Sequence, residues 1–405
     1  MLYRTRRLIA TSLAALVAVA SLVGVSAATV GAVSALSSTT PSVQLELGTT
    51  NAGRWVVPHG EGGAPVVPTP GGAARGAGNF NAVSCPTPTK CVAVGGDGAL
   101  RGVASTSLDG GSTWTQSSVD VNEPDLNAVS CASATLCVAV GQGASIKSTD
   151  GGATWASNTI PTANTTLLGV SCPTPNLCVS VGVSPGADGP YEGQLLYSSN
   201  GGTSWSVPTV PASIGALGAV DCPSARFCIA VGAAILVSTN GGATWVGQSV
   251  SGGTGVLRSV SCSSATACVA IGPNPAGAQN SQLSGVAVST SNAGVGWSTV
   301  SLPAATASLG VVSCSSSGNC EAAGTSSPGG AAPVLMSANG GSSWTTNSSL
   351  STTVSAVSAV NCSSATNCVL LGTSGRKPVS VTVTSGVATG GGPVSALVTT
   401  QKHVS

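Results

Sequence analysis

The chain has 405 residues but only 13 Lys+Arg and 12 Asp+Glu, a net charge of +1 and 6% charged residues, against about 25% in an ordinary soluble domain. So little charge excludes the basic surface a nucleic-acid partner needs and the charge-driven solvation of a disordered chain. Its 55 glycines follow no three-residue period, which excludes collagen, and two histidines, His59 and His403, exclude a histidine-rich metal site.

The chain opens with Arg4, Arg6 and Arg7, then an uncharged apolar run from Leu8 to Val25, then Val25-Ser26-Ala27. This is the pattern of an export signal with a small-residue cleavage site. Residues 1–27 are read as a signal peptide, or as an uncleaved anchor reaching about residue 35, where Val33-Ser34-Ala35 offers a second site. Residues 28–48 follow as a linker, and 49–405 as one domain with a Gly/Pro-rich loop at 59–78.

The domain repeats. All fourteen cysteines fall in C-x5-C pairs: Cys85-Cys91, Cys131-Cys137, Cys172-Cys178, Cys222-Cys228, Cys262-Cys268, Cys314-Cys320 and Cys362-Cys368. Successive pairs start 40 to 52 residues apart, Val stands two residues before each first Cys, and Gly four residues after each second Cys. An even, regularly spaced set fits disulfides in an oxidising compartment. Each pair brackets a five-residue loop between two runs of strand character, such as Asn127 to Cys131 and Cys137 to Val140. A third run, such as Ile235 to Ser238, leads into a motif ending in Trp, where a fourth begins. Four short strands per unit of about 45 residues is the signature of a propeller blade. The fold expected is therefore all-β: a seven-bladed β-propeller of four-stranded blades, with one C-x5-C disulfide hairpin per blade.

The Trp motif is S/T-x-D/N-x-G-x-x-W. It occurs six times, pairing Asp109 with Trp114, Asp150 with Trp155, Asn200 with Trp205, Asn240 with Trp245, Asn292 with Trp297 and Asn339 with Trp344. It resembles the Asp box of the BNR-repeat families, the sialidase-like β-propellers, which include photosystem-assembly-factor-like members. The paired cysteines resemble a secreted bacterial subgroup. The resemblance implies that each box is the turn between strands C and D and that its Trp packs between blades. Four boxes carry Asn, which cannot ionise, so the boxes are structural rather than catalytic. Thr50 to Trp55 reads as a shortened box, and shared closure is expected, with the N-terminal segment adding strands to the blade begun at Cys362. The rival is completion of that blade by Val379 to Thr384 and Ser395 to Thr400.

Because strands alternate in direction, the Cys loops and Asp boxes share one face of the disc. The B–C and D–A connections share the other, and the B–C lengths vary. Ligand-binding candidates are placed there: Asp97, Arg101, Asp188, Tyr191, Glu192, Arg258, Asn274, Arg376 and Lys377. No metal or cofactor is expected. A sialidase-like hydrolase would need a Tyr/Glu pair and clustered arginines, and the chain supplies only Tyr191 or Tyr197 beside Glu192, and scattered arginines. The reading is an exported, monomeric, non-catalytic propeller that binds an extracellular or envelope glycan or protein, or serves as a scaffold. The alternatives are a sialidase-like glycoside hydrolase and a structural envelope component.

Overall fold

A computed structural model describes residues 79–393, apart from short loop segments at 121–122, 163, 187–190, 213, 250–254, 275–283, 304–305, 307, 325–331, 351–353 and 376. The signal segment, the linker, the shortened box at Trp55 and the loop at 59–78 lie outside the described residues. The described chain forms seven antiparallel sheets in sequence order. In the first, strands Asn79–Ser84, Cys91–Gly96, Gly102–Ser107 and Thr115–Gln116 pair in order. The first strand of each sheet contacts the first strands of the sheets before and after it, and the last sheet contacts the first. The A strands therefore form the inner wall of a closed seven-bladed ring.

The expected pattern of four strands per blade holds in six blades. In the third, strands Thr166–Ser171, Cys178–Pro185 and Tyr191–Ser198 pair, and the fourth strand shrinks to one bridge between Tyr197 and Ser206. Pro208 and Pro211 follow that bridge. A proline has no N–H for the ladder, so the strand is not extended.

The last blade obtains all four strands from its own stretch of chain: Ala356–Cys362, Asn367–Ser374, Lys377–Thr384 and Val387–Pro393. This corrects the expectation of shared closure. The run Val379 to Thr384 lies within its third strand, as the rival reading had it. The outer strand is Val387–Pro393 instead of Ser395 to Thr400, which lies outside the described residues. The cause is local. Ser385 and Gly386 take φ values of 53° and 79°, the left-handed pair of a tight hairpin, and turn the chain straight back.

The core is divided into seven packets, each between neighbouring blades. One joins Val92, Val94 and Ala104 of the first blade to Leu126, Val129, Ile146 and Trp155 of the second. Another joins Val369 and Leu371 of the last blade to Phe80, Val83 and Trp114 of the first. All seven C-x5-C pairs are disulfides. Each closes a short loop and stabilises by about 2 kcal/mol on the chain-entropy model.

The inner wall has a second repeated bond that holds the ring closed. The residue before each first Cys is a short acceptor, and the first Cys of the next blade donates its backbone N–H to it. Cys131 donates to Ser84 Oγ (3.0 Å), Cys172 to Ser130 Oγ (2.9 Å) and Cys222 to Ser171 Oγ (3.0 Å). Cys262 donates to Asp221 Oδ2 (2.7 Å), Cys314 to Ser261 Oγ (2.9 Å) and Cys362 to Ser313 Oγ (2.9 Å). The Cys85 N–H donates to Asn361 Oδ1 (3.1 Å), joining the last blade to the first. Ser380 Oγ adds a bond to the Gly111 carbonyl across the same seam (2.8 Å). The ring is thus closed by side-chain bonds and apolar packing.

Candidate functional site

The two faces of the disc differ in how their polar groups are used. On the Asp-box face the groups are committed to one another. In the first box Ser107 Oγ donates to Asp109 Oδ1 (2.8 Å) and accepts from the Gly111 N–H (2.8 Å). Thr113 donates its N–H to Asp109 Oδ1 (2.8 Å) and its hydroxyl to Oδ2 (2.6 Å). These bonds hold the Asp109 carboxyl below its ordinary value against the opposing effect of burial. At Asp150 the bonds from Thr154 come first and bring the carboxyl down to about 2. Where Asn replaces Asp the hydroxyl reverses its role: Asn200 Nδ2 donates to Ser204 Oγ (2.8 Å), and Asn240 and Asn339 repeat the pattern. The turn needs an acceptor and a second polar atom, and Asn and Asp serve equally.

Gly111 shows why the box needs glycine. It has φ 91°, and a Cβ on it would lie 2.8 Å from Val369 Cγ1 of the neighbouring blade. The Trp114, Trp155, Trp245 and Trp344 indoles each donate to the carbonyl of that box glycine, and Trp205 Nε1 donates to Ser145 Oγ. The fifth box departs from this. Gly296 stands where the others have Ser or Thr, and Trp297 Nε1 is buried without a partner. The cleft beside it, about 260 Å³, is lined by Ser289, Thr290, Asn292, Trp297, Ser298 and Ser342, none of them ionisable.

The opposite face, called the mouth here, is where the sequence placed its candidates. Every A strand carries a bulge four residues before its first Cys. The ladder skips one residue at Asn81, Asn127, Leu168, Gly218, Gly310 and Ser358. In the fifth blade Arg258 N–H bonds to Ile271 O (2.7 Å) beside the Ser259–Ile271 pair, giving the same irregularity. The bulge explains the glycine four residues after each second Cys. A Cβ on Gly182 would lie 2.0 Å from the Thr166 carbonyl oxygen, and Gly95, Gly141, Gly232, Gly272, Gly324 and Gly372 meet equivalent backbone carbonyls. Three bulge side chains bond to the inner strand of the following blade: Asn81 Nδ2 to Leu126 O (2.9 Å), Asn127 Nδ2 to Leu167 O (2.9 Å) and Ser358 Oγ to Phe80 O (2.7 Å).

Arg258 occupies this position in the fifth blade and makes no such bond. Its Nε is buried without a partner, and burial lowers its pKa with no charged group acting on it.

Asp97 and Arg101 form a closed pair in the first B–C turn. Asp97 Oδ2 accepts from Arg101 Nε (2.8 Å) and lies 2.7 Å from Nη2, while Oδ1 accepts the Ala99 N–H (2.8 Å). These bonds hold Asp97 below the usual carboxylate range although burial opposes them. Asp125 lies against Gly96 in the adjoining D–A connection, with Oδ1 buried and unpaired. Burial first, and then the Asp97 charge, push its carboxyl up. Asp125 is a candidate carboxylate in the sequence but not one of the ligand-binding candidates; its place directly before the second A strand is the available signal. Leu100 (69% exposed) and Val256 (37% exposed) are apolar side chains in connections on the same face.

Tyr191 and Glu192 start the third blade's C strand, paired with Pro185 and Ser184. As neighbours on a strand they point to opposite faces. Tyr197 lies five residues further along the same strand, about 17 Å away at about 3.3 Å per residue. These residues therefore do not form the Tyr/Glu nucleophile pair of a sialidase. Arg226 lies in a Cys loop on the far face, and Lys377 is exposed at the start of its strand. Asp188, Arg376 and the side chain of Asn274 lie outside the described residues. Among the described residues no group of three or more His, Cys, Asp or Glu is placed to hold a metal ion.

Residues 82–377 match the family model described as photosynthesis system II assembly factor YCF48. A search of curated proteins finds no match. Among solved structures, YCF48 bound to a D1 peptide is similar at 16% identity and TM-score 0.55, covering 75% of this chain and 93% of that one. YCF48 from Cyanidioschyzon merolae is similar at 18% identity and TM-score 0.56, covering 77% and 97%. The GH74 xyloglucanase from Xanthomonas campestris is similar at 15% identity and TM-score 0.55, covering 77% of this chain and 53% of that one.

Proposed function

The chain belongs to the BNR-propeller family of the assembly factor YCF48, and from that premise we propose a non-catalytic, exported propeller that binds a segment of a partner protein at its mouth and so serves an assembly role. The carrying observation is the contrast between the faces. The carboxylates and hydroxyls of the boxes bond to one another, whereas the mouth holds unpaired atoms of two ionisable groups, Asp125 and Arg258. Unsatisfied ionisable groups are what a binding surface presents before its ligand arrives. The structural neighbour solved with a D1 peptide is a propeller of this fold with a protein ligand, which supports a protein over a glycan here. Seven disulfides point to an oxidising, extracytoplasmic environment, and the N-terminal pattern supports export by a signal peptide or an uncleaved anchor.

The test is binding of the captured partner to surface variants of the mature protein. Leu100→Ser with Lys377→Ala on the mouth should weaken binding at least about tenfold, the loss of one well-packed apolar contact and one charge. Leu108→Ser with Arg226→Ala on the opposite face should leave it unchanged. Equal loss from both pairs, or loss only from the second, overturns the assignment.

A further inference from the structure

Six of the seven blades place a neutral residue at the bulge of the inner strand: Asn81, Asn127, Leu168, Gly218, Gly310 and Ser358. The fold therefore has no need of charge there. The fifth blade places Arg258 there, and a guanidinium keeps its proton throughout the physiological range. Arg258 is half-buried, and a charge partly withdrawn from water without a partner is costly unless a counter-charge meets it. Among the described residues no such charge is supplied. Arg258 Nε is buried and bonds to nothing, and burial alone perturbs the group.

The two neighbouring blades carry glycine at the matching position. Among the described residues nothing lies within 4 Å of where a Cβ on Gly310 would stand, and the nearest atoms to one on Gly218 are backbone atoms of Leu257 and Arg258, at 3.5 Å or more. The inner strands on both sides of Arg258 thus carry no side chain at the matching position, where three other blades have an Asn or Ser bonded to the next strand. Side-chain-free positions on either side, a fixed positive charge and an unpaired Nε–H occur together at one place on the ring.

We infer that Arg258 is the anchor of an oxyanion site inside the mouth, taking a carboxylate or phosphate group that enters between the glycine-bearing inner strands of the fourth and sixth blades. The planar fork suits both groups, which present two oxygens side by side. This rests on the reading of the mouth as the binding face and names the chemistry that face selects.

The experiment titrates the mature protein with inorganic phosphate and, separately, with acetate, at constant ionic strength set by chloride. Thermal midpoint and the NMR signal of the Arg258 Nε–H are both followed. One of the two anions should raise the midpoint saturably and shift that signal, and which one does so identifies a phosphate or a carboxylate source. Arg258→Gln should fold, because six blades manage without the charge, and should bind about tenfold or more weakly, as expected for losing a hydrogen bond to a charged group. Arg258→Lys should fall between. If neither anion moves the Nε–H signal, or if the wild-type protein and Arg258→Gln respond alike, the oxyanion site is wrong. In that event mouth variants that still abolish partner binding leave the proposed function standing; if they too have no effect, both fail.

Discussion

Glu321 stands one residue after the second Cys of its pair, where the other blades have Val92, Val138, Val179, Ile229, Val269 and Val369. It is 4% exposed, its Oε2 has no hydrogen-bond partner, and burial pushes its carboxyl up to about 7 from an ordinary 4.5. The last blade is the one without a box Trp. The packet between the sixth and last blades accordingly contains Val, Ala and Leu but no aromatic ring. No titratable group faces Glu321 from the strands packed around it: Leu309–Cys314, Val334–Ser337, Ala356–Cys362 and Asn367–Ser374 carry none but disulfide cysteines. Lys377 lies at the mouth end of Lys377–Thr384, away from the Cys368–Val383 pair.

The folded-state pKa is raised, so the neutral acid is the form the fold favours. The associated stability is complete below about pH 4.5 and is lost as pH rises to about 7. A shift from 4.5 to about 7 at about 1.4 kcal/mol per unit amounts to roughly 3 kcal/mol. At about 2 °C per kcal/mol this is ~6 °C in the unfolding midpoint. Glu321→Gln keeps the shape and removes the titration. Thermal unfolding of both proteins from pH 4 to pH 8 should give near-equal midpoints at pH 4 and a variant more stable by several degrees at pH 8. Comparing the two at each pH cancels contributions from other groups. A constant difference across the range would refute the reasoning.

Other consequences follow from the same geometry. Asp221 accepts the Cys262 N–H where five other blades use Ser for this bond, and burial pushes it up to about 6 despite that bond and one from Cys222. Asp221→Ser should therefore stabilise the protein above pH 6 relative to pH 3.8, as measured in urea, and a pH-independent change would count against it. Asn361→Ala should cost about 1–3 kcal/mol by leaving the Cys85 N–H without its acceptor at the closing seam; an unchanged urea midpoint would show that packing alone closes the ring. Gly182→Ala should prevent correct folding of the third blade, because its Cβ would fall 2.0 Å from the Thr166 carbonyl oxygen; a soluble variant with native circular dichroism would contradict the bulge account.

Much of this architecture is legible in the rare residues. The cysteine pairs and the glycine after each pair recur once per blade, and the box Trp in six of the seven, because each occupies a repeated structural place. The inner-ring bond was equally visible and was missed. The residue before each first Cys reads Ser, Ser, Ser, Asp, Ser, Ser, Asn, a run of short acceptors whose purpose emerges only when the strands are seen side by side. The closure of the last blade was misread because a shortened box at Trp55 suggested exchange between the ends, whereas Ser385-Gly386 makes an ordinary hairpin. The mouth was the least readable part. Asp97 and Arg101 neutralise one another through a turn that spacing alone does not reveal, while the isolation of Arg258 depends on what its neighbours lack.

Leu100 and Leu108 offer the most direct test of the mouth as the binding face. Both are leucines of the first blade, 69% and 74% exposed, one on the mouth and one in the Asp box opposite. With a photo-crosslinking amino acid at one position or the other in the protein expressed in its own cells, the first should join a defined partner protein and the second should join none. Crosslinks confined to position 108, or of equal yield from both, would contradict the account.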